Sequence, residues 1–110
     1  MNKIKQQETN NESLALFRAL IDQSNDAIEV IDPVSGSLID SNMKAWQELG
    51  YNHDEFLKLT VFDIDPTISL SIFQRVMDDV KKNKIRIFES IHKRKDGSEF
   101  PVEINLKYIQ

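Results

Sequence analysis

His53 and His92 are the only histidines of this chain and the side chains best suited to ligate a metal or shuttle a proton. They lie far apart and belong to no His-x3-His pair, the spacing that brings two ligands onto one helix face, so no metal site is expected. Asp63 and Asp65 alternate with Phe62 and Ile64, a pattern that would suit paired carboxylates in acid–base work or cation binding. The further oxygen ligands and the glycine of a calcium loop are absent, which favours a solvated turn. The run His92-Lys93-Arg94-Lys95 could anchor a phosphate, or serve as a soluble edge that discourages strand addition. Ser13, Ser35, Ser90 and Ser98 sit in no Gly-x-Ser-x-Gly elbow, and no glycine-rich phosphate loop exists. Cysteine is absent, which removes thiolate nucleophiles, disulfides and thiolate metal sites together. The residues therefore point to a module without catalytic machinery of its own.

The elements that must position these side chains are constrained first by size. At 110 residues the chain suits one domain, and its 40% hydrophobic and 29% charged content is that of a folded protein. Fourteen basic against 18 acidic residues leave a formal charge of −4, so no broad positive field gathers nucleic acid. Residues 1–10 carry little to bury and read as a linker or disordered leader, leaving 11–110 as the domain. No stretch approaches the ~20 apolar residues of a membrane span, so no direct membrane contact is expected. A cytoplasmic setting follows, with any membrane anchor placed elsewhere in a longer parent.

Local patterns place the elements. Thr9 and Glu12 resemble a capping box, and Leu14, Phe17, Leu20 and Ile21 recur at helical spacing, predicting a helix over 11–24. Residues 27–32 put Ile28 and Val30 on one face of a strand, and the Asp32–Gly36 turn leads into a second strand at 37–41. Asn42 is placed to cap a short helix through Met43, Ala45, Trp46 and Leu49, ended by Gly50. Asn52 and Glu55 can start another turn, whereas Phe62–Pro66 reads as irregular. Ile72, Phe73, Val76, Met77 and Val80 form one stripe of a helix over 69–82. A strand at 85–92 alternates with Ile85, Ile87 and Ile91 on one face. Asp96-Gly97 turns it into a strand carrying Phe100, Val102, Ile104, Leu106 and Tyr108. This order predicts an α+β fold, an antiparallel sheet with helices on one face.

Several fragments, taken in order, resemble the PAS sensory-domain family: Leu16-Phe17-Arg18-Ala19-Leu20-Ile21, Asn25-Asp26-Ala27-Ile28, Asn42 with Ala45, Leu49-Gly50-Tyr51, Glu55-Phe56-Leu57, and Lys95-Asp96-Gly97-Ser98-Glu99-Phe100-Pro101-Val102-Glu103. The match spans roughly residues 14–108. It implies a five-stranded antiparallel sheet with short helices on one face, an N-terminal flanking helix and a cavity that in some relatives holds haem, flavin or a metabolite. It also implies a regulatory sensor and dimerisation module. Such a module controls an attached output domain, a histidine kinase or cyclic-dinucleotide enzyme of bacterial-type signalling, by a ligand- or partner-induced shift between dimer states. The other reading is a ligand-free homodimerisation or protein-interaction module with a filled core.

On that resemblance the cavity candidates are Ile28, Val30, Asn42, Met43, Trp46, Phe73, Met77, Ile87, Ile91, Val102 and Ile104, with Asn42 or Ser90 to orient a ligand. A filled core would present the same apolar set, and Trp46 suits core packing as well as ligand stacking. Haem-binding relatives use a histidine on the long helix, and residues 69–82 contain none, which argues against haem. Flavin-adduct relatives use a cysteine, which argues against that photochemistry. A small organic ligand stays open. Leu14, Phe17 and Ile21 are the candidate dimer contacts of the flanking helix, although covering the domain's own sheet explains the same stripe.

The chain departs from the family in one respect. Relatives continue past the strand at 99–109 into a last strand that lies at the centre of the sheet, next to the strand at 27–32. Here the sequence stops at Gln110, so that strand is missing and truncation of a longer parent is the favoured explanation. If 110 residues are the whole molecule, its two open edges predict strand exchange or a loosened sheet.

Overall fold

The computed structural model describes residues 15, 16 and 18–108. The chain opens on helix α1, described at 15, 16 and 18–22, and follows with strand β1 (Glu29–Ile31) and strand β2 (Leu38–Ser41). Three short helices come next, α2 (Met43–Glu48), α3 (His53–Phe56) and α4 (Val61–Ile64), and then the long helix α5 (Leu70–Asn83). A second hairpin closes the fold, β3 (Ile85–Lys93) with β4 (Glu99–Lys107). Leu14, Phe17, the Thr9/Glu12 box and the leader at 1–10 lie outside the described residues.

Turn chemistry builds the first hairpin. The Asp32 carboxylate accepts from the backbone N–H groups of Val34 and Ser35, at 2.8 and 3.0 Å, and Gly36 N–H closes onto the Asp32 carbonyl. Gly36 has φ +77°, and a Cβ there would press on Phe62 and Val61 at 3.1 Å, so backbone and packing both require glycine. The register slips between Val30 and Ile31 of β1, where Ile39 of β2 is the extra residue, which sends Leu38 and Ser41 inward opposite Ile31 and Glu29 while Ile39 is exposed.

Every helix after α1 begins on a side-chain cap. Asn42, Asn52, Thr60 and Ser69 each accept from the first-turn N–H groups of α2, α3, α4 and α5. Asn52 with Glu55 and Thr60 with Asp63 complete reciprocal capping boxes. The segment expected to be irregular around Phe62–Pro66 therefore contains a helical turn, and its signal is Thr60 three residues before Asp63. Helix α5 ends where Lys84 turns left-handed at φ 73°, its N–H bonding to the Val80 carbonyl. Strand β3 begins at the next residue.

Leu38, Ala45, Leu49, Phe56, Val61, Ile64 and Phe73 form the core, drawn from β2 and helices α2 to α5. The Phe62 and Phe73 rings meet edge to face at 5.5 Å. The four strands pair as two separate antiparallel hairpins, β1 with β2 and β3 with β4, rather than as one continuous sheet. Among the described residues no strand joins β1 to β4, the place where the family's central strand would run.

One expectation about the faces is reversed. In β3 the isoleucines alternate with Arg86, Phe88, Ser90 and His92, and it is this second set that turns inward. Ile85 and Ile87 are 48% and 57% exposed. Register explains it, because Phe88, Ser90 and His92 stand directly opposite Ile104, Val102 and Phe100 of β4 and must share their face. Strand β1 is out by the same single step, so Glu29 and Ile31 face the interior where Ile28 and Val30 were expected.

Candidate functional site

Between the two hairpins and helix α5 lies a cavity of about 590 Å³, partly open to solvent. Helix α5 contributes Phe73, Val76 and Met77; β4 contributes Phe100, Val102, Ile104 and Leu106; and β3 contributes Phe88 and His92. Ile64, Asp65 and Ile68 cover one side, and Glu29 and Ile31 of β1 another. The wall is mixed, these apolar side chains sharing it with Asp26, Glu48, Glu103 and Asn105.

The expected liners divide cleanly. Phe73, Met77, Val102 and Ile104 line the cavity. Ile28, Val30 and Ile91 do not, since their strands present the other face, and Ile87 points to solvent. Met43 is 51% exposed on the outer side of α2. Trp46 packs against the core cluster, with its ring 6.3 Å from that of His53. Ile21, the described member of the three expected dimer contacts, is 6% exposed and belongs to the core of its own chain. Leu16 and Leu20 are the exposed apolar residues of that helix.

Asn42 is buried but serves as a structural joint rather than a cavity liner. Its Oδ1 accepts from Ile28 N–H at 2.9 Å and Ala45 N–H at 3.1 Å. Its Nδ2 donates to the Ile21 and Asp26 carbonyls, both at 2.8 Å. Two donors and two acceptors are all that a carboxamide offers, so none remains for a ligand.

The polar groups that do face the cavity include Asp65 and His92, and neither Asn42 nor Ser90, the expected orienters, is among them. Asp65, expected in a solvated turn, is buried; it accepts from the Ser90 hydroxyl and from Thr67 Oγ1 at 2.6 Å and Thr67 N–H at 2.9 Å. Ser90 thereby ties β3 to the end of α4. Asp63 instead spends its carboxylate on the Thr60 cap. Burial lowers the His92 pKa, opposed by the charges of Asp65 and Glu48. The edge of its ring meets Phe100 at 6.2 Å. The rest of the basic run faces elsewhere, with Arg94 over the Phe100 ring at 4.1 Å and Lys95 paired with Glu55.

Glu29 is the most perturbed group. Burial first, and the neighbouring Glu48 charge second, push its carboxyl up to about 7. An acidic residue inside a β-branched strand was the available signal, and the expected face concealed it.

Helices over antiparallel hairpins with a cavity between them define an α+β sensor-type domain. The PAS domain family profile matches residues 25–110. The chain belongs to the PAS domain family, whose members are regulatory sensor modules. It is similar, with TM-score 0.75 and 26% identity, to the PAS domain of an HTR-like protein from Haloarcula marismortui, covering 94% of this chain and 84% of that one. A domain of a sensory box sensor histidine kinase/response regulator from Geobacter sulfurreducens shares the fold, with TM-score 0.76 and 21% identity, covering 88% and 84%. A methyl sulfide methyltransferase-associated sensor from Methanosarcina acetivorans is 30% identical over 98 residues, 89% of this chain. The chain spans about a tenth of that relative's length. No helix among the described residues is long and apolar enough to cross a membrane.

Proposed function

We propose that this domain is the ligand-sensing module of a signal-transduction protein. It biases an attached output domain, a histidine kinase or cyclic-dinucleotide enzyme, by shifting the population between two dimer arrangements. The observation that carries the reading is the cavity of about 590 Å³ inside a PAS fold. It is roomy enough for a metabolite and walled by the two hairpins, so an occupant touches both and can bias their relative placement. The similarity to sensor proteins supports the signalling role.

A test is to purify the chain, denature it and identify released small molecules by mass spectrometry. A stoichiometric ligand supports sensing. An empty chain whose backbone amide spectrum is unmoved by a metabolite library refutes it.

The exposed apolar outer face, with Ile85 and Ile87 on β3, favours a second reading, a ligand-free homodimerisation module. Light scattering on the purified chain and on an Ile85→Asp/Ile87→Asp double variant tests it. A dimer that the double variant abolishes supports that surface, and a monomeric parent chain rejects it.

A further inference from the structure

Strand β2 has an outer edge that β1 does not cover. Asn42 N–H donates to the Ile28 carbonyl at 3.0 Å, so the neighbouring Ser41 turns its own N–H and carbonyl away from β1. Two side chains meet those groups. The Asp40 carboxylate accepts from Ser41 N–H at 2.9 Å, and Arg18 Nη1 donates to the Ser41 carbonyl, also at 2.9 Å. Arg18 Nη2 donates to the same Asp40 carboxylate, so one planar guanidinium on α1 grips a side chain and a main-chain oxygen of β2 together. Among the described residues of α1, Ile21 is buried, whereas Ala15, Leu16, Ala19, Leu20 and Asp22 are exposed. A second polar tie, the Asn42 amide on the Ile21 carbonyl, lies at the far end of the helix. The described contacts that dock α1 are thus mostly polar. Arg18 and Asp40, with 41% and 30% of their side chains exposed, lie within reach of dissolved salt.

We infer that Arg18 and Asp40 form a latch, and that α1 leaves β2 as a unit when it opens while the rest of the domain stays folded. An element with few buried apolar contacts and solvent-accessible polar ones belongs to the low-stability end of a structure, where local release precedes global unfolding. The latch is also placed to respond to the first hairpin. Asp40 stands opposite Val30 of β1, between Glu29 and Ile31, two residues that line the cavity. A displacement of β1 therefore shifts the anchor that Arg18 holds. The latch itself needs no occupant in the cavity.

The test is amide hydrogen exchange of the full chain, followed by NMR at residues 19–22 of α1 and 72–80 of α5. In the parent chain the α1 amides should exchange faster than those of α5. Raising sodium chloride from about 0.01 M to about 1 M shortens the screening length from about 30 Å to about 3 Å, and should speed α1 exchange by about threefold with α5 unmoved. Arg18→Ala, which removes a charged donor from two acceptors, should speed α1 exchange by about tenfold or more, again with α5 unmoved. Asp40→Asn keeps an acceptor oxygen for Arg18 but not the charge, and should abolish the salt response. Salt-independent α1 exchange in the parent, or equal α1 protection in the parent and Arg18→Ala, overturns the inference. So does loss of α5 protection together with α1 in Arg18→Ala, up to a variant that fails to fold, because α1 would then belong to the cooperative core. No ligand enters the experiment, so its outcome is independent of the ligand-sensing reading.

Discussion

The Asn42 side-chain amide donates to the carbonyl oxygen of Ile21 at 2.8 Å, joining the end of α1 to the start of α2 across 21 positions of sequence. The same side chain holds Ile28 N–H, Asp26 carbonyl and the first turn of α2, so one residue fastens the flanking helix, the first strand and a cavity-bearing helix. Any movement of β1 that an occupant of the cavity imposed would reach α1 through this joint.

Asn42→Ala should therefore cost more than a lost cap. A cap contributes ~1 kcal/mol, and buried backbone groups left without partners cost about 1–3 kcal/mol each, so a loss of about 2–4 kcal/mol is expected. Asn42→Asp should fail to rescue it, although aspartate is a good cap, because it supplies no donor for the Ile21 and Asp26 carbonyls. Urea denaturation of the three proteins at pH 7 decides; an aspartate variant as stable as the parent would reduce Asn42 to an ordinary cap.

Glu29 sets a pH dependence with a definite sign. Its carboxyl rises from an ordinary 4.5 to about 7 on folding, so the folded state holds the proton more tightly than the unfolded chain. The corresponding stability is fully present below about 4.5 and is lost as pH climbs through about 7. Glu29→Gln should match the parent near pH 4.5 and exceed it by about 1–3 kcal/mol at pH 8. Parallel stability curves for the two proteins across that range would contradict the burial of this group.

Neighbouring residues of β3 should respond oppositely to one substitution. Ile87→Thr, on the exposed face, should change stability by less than about 0.5 kcal/mol. Phe88→Thr, inside the cavity wall, should cost about 1–3 kcal/mol. Thermal melts at low protein concentration separate the cases, and the reverse order would mean that the strand presents its other face.

Lys84→Gly should stabilise the chain. Lys84 holds a left-handed conformation at the end of α5, where glycine carries no Cβ penalty, and a gain of about 0.5–1 kcal/mol is expected. Loss of the Lys84 ammonium from above the Tyr108 ring, at 4.9 Å, subtracts little at an exposed site. A measured destabilisation would show that the cation matters more than the backbone.

The residues alone determined the order of the elements apart from α4, because caps and turns are local. Asn42, the Asn52/Glu55 box, the Asp32–Gly36 turn and Asp96-Gly97 act within a few positions, and each sits where it was read. The α5 stripe and the apolar face of β4 were legible for a related reason, as a single periodic pattern admits one buried side. Strand β3 had two candidate faces, Ile85/Ile87/Ile91 against Phe88/Ser90/His92, and only pairing with β4 chose between them. Asp65 read as solvated because Ser90, its partner, is 25 residues away. Glu29 owes its raised pKa to burial and to Glu48, neither visible along the chain. Short-range hydrogen bonding was therefore settled by sequence, whereas the tertiary structure decided which side of each strand the cavity sees, and with it the chemistry inside.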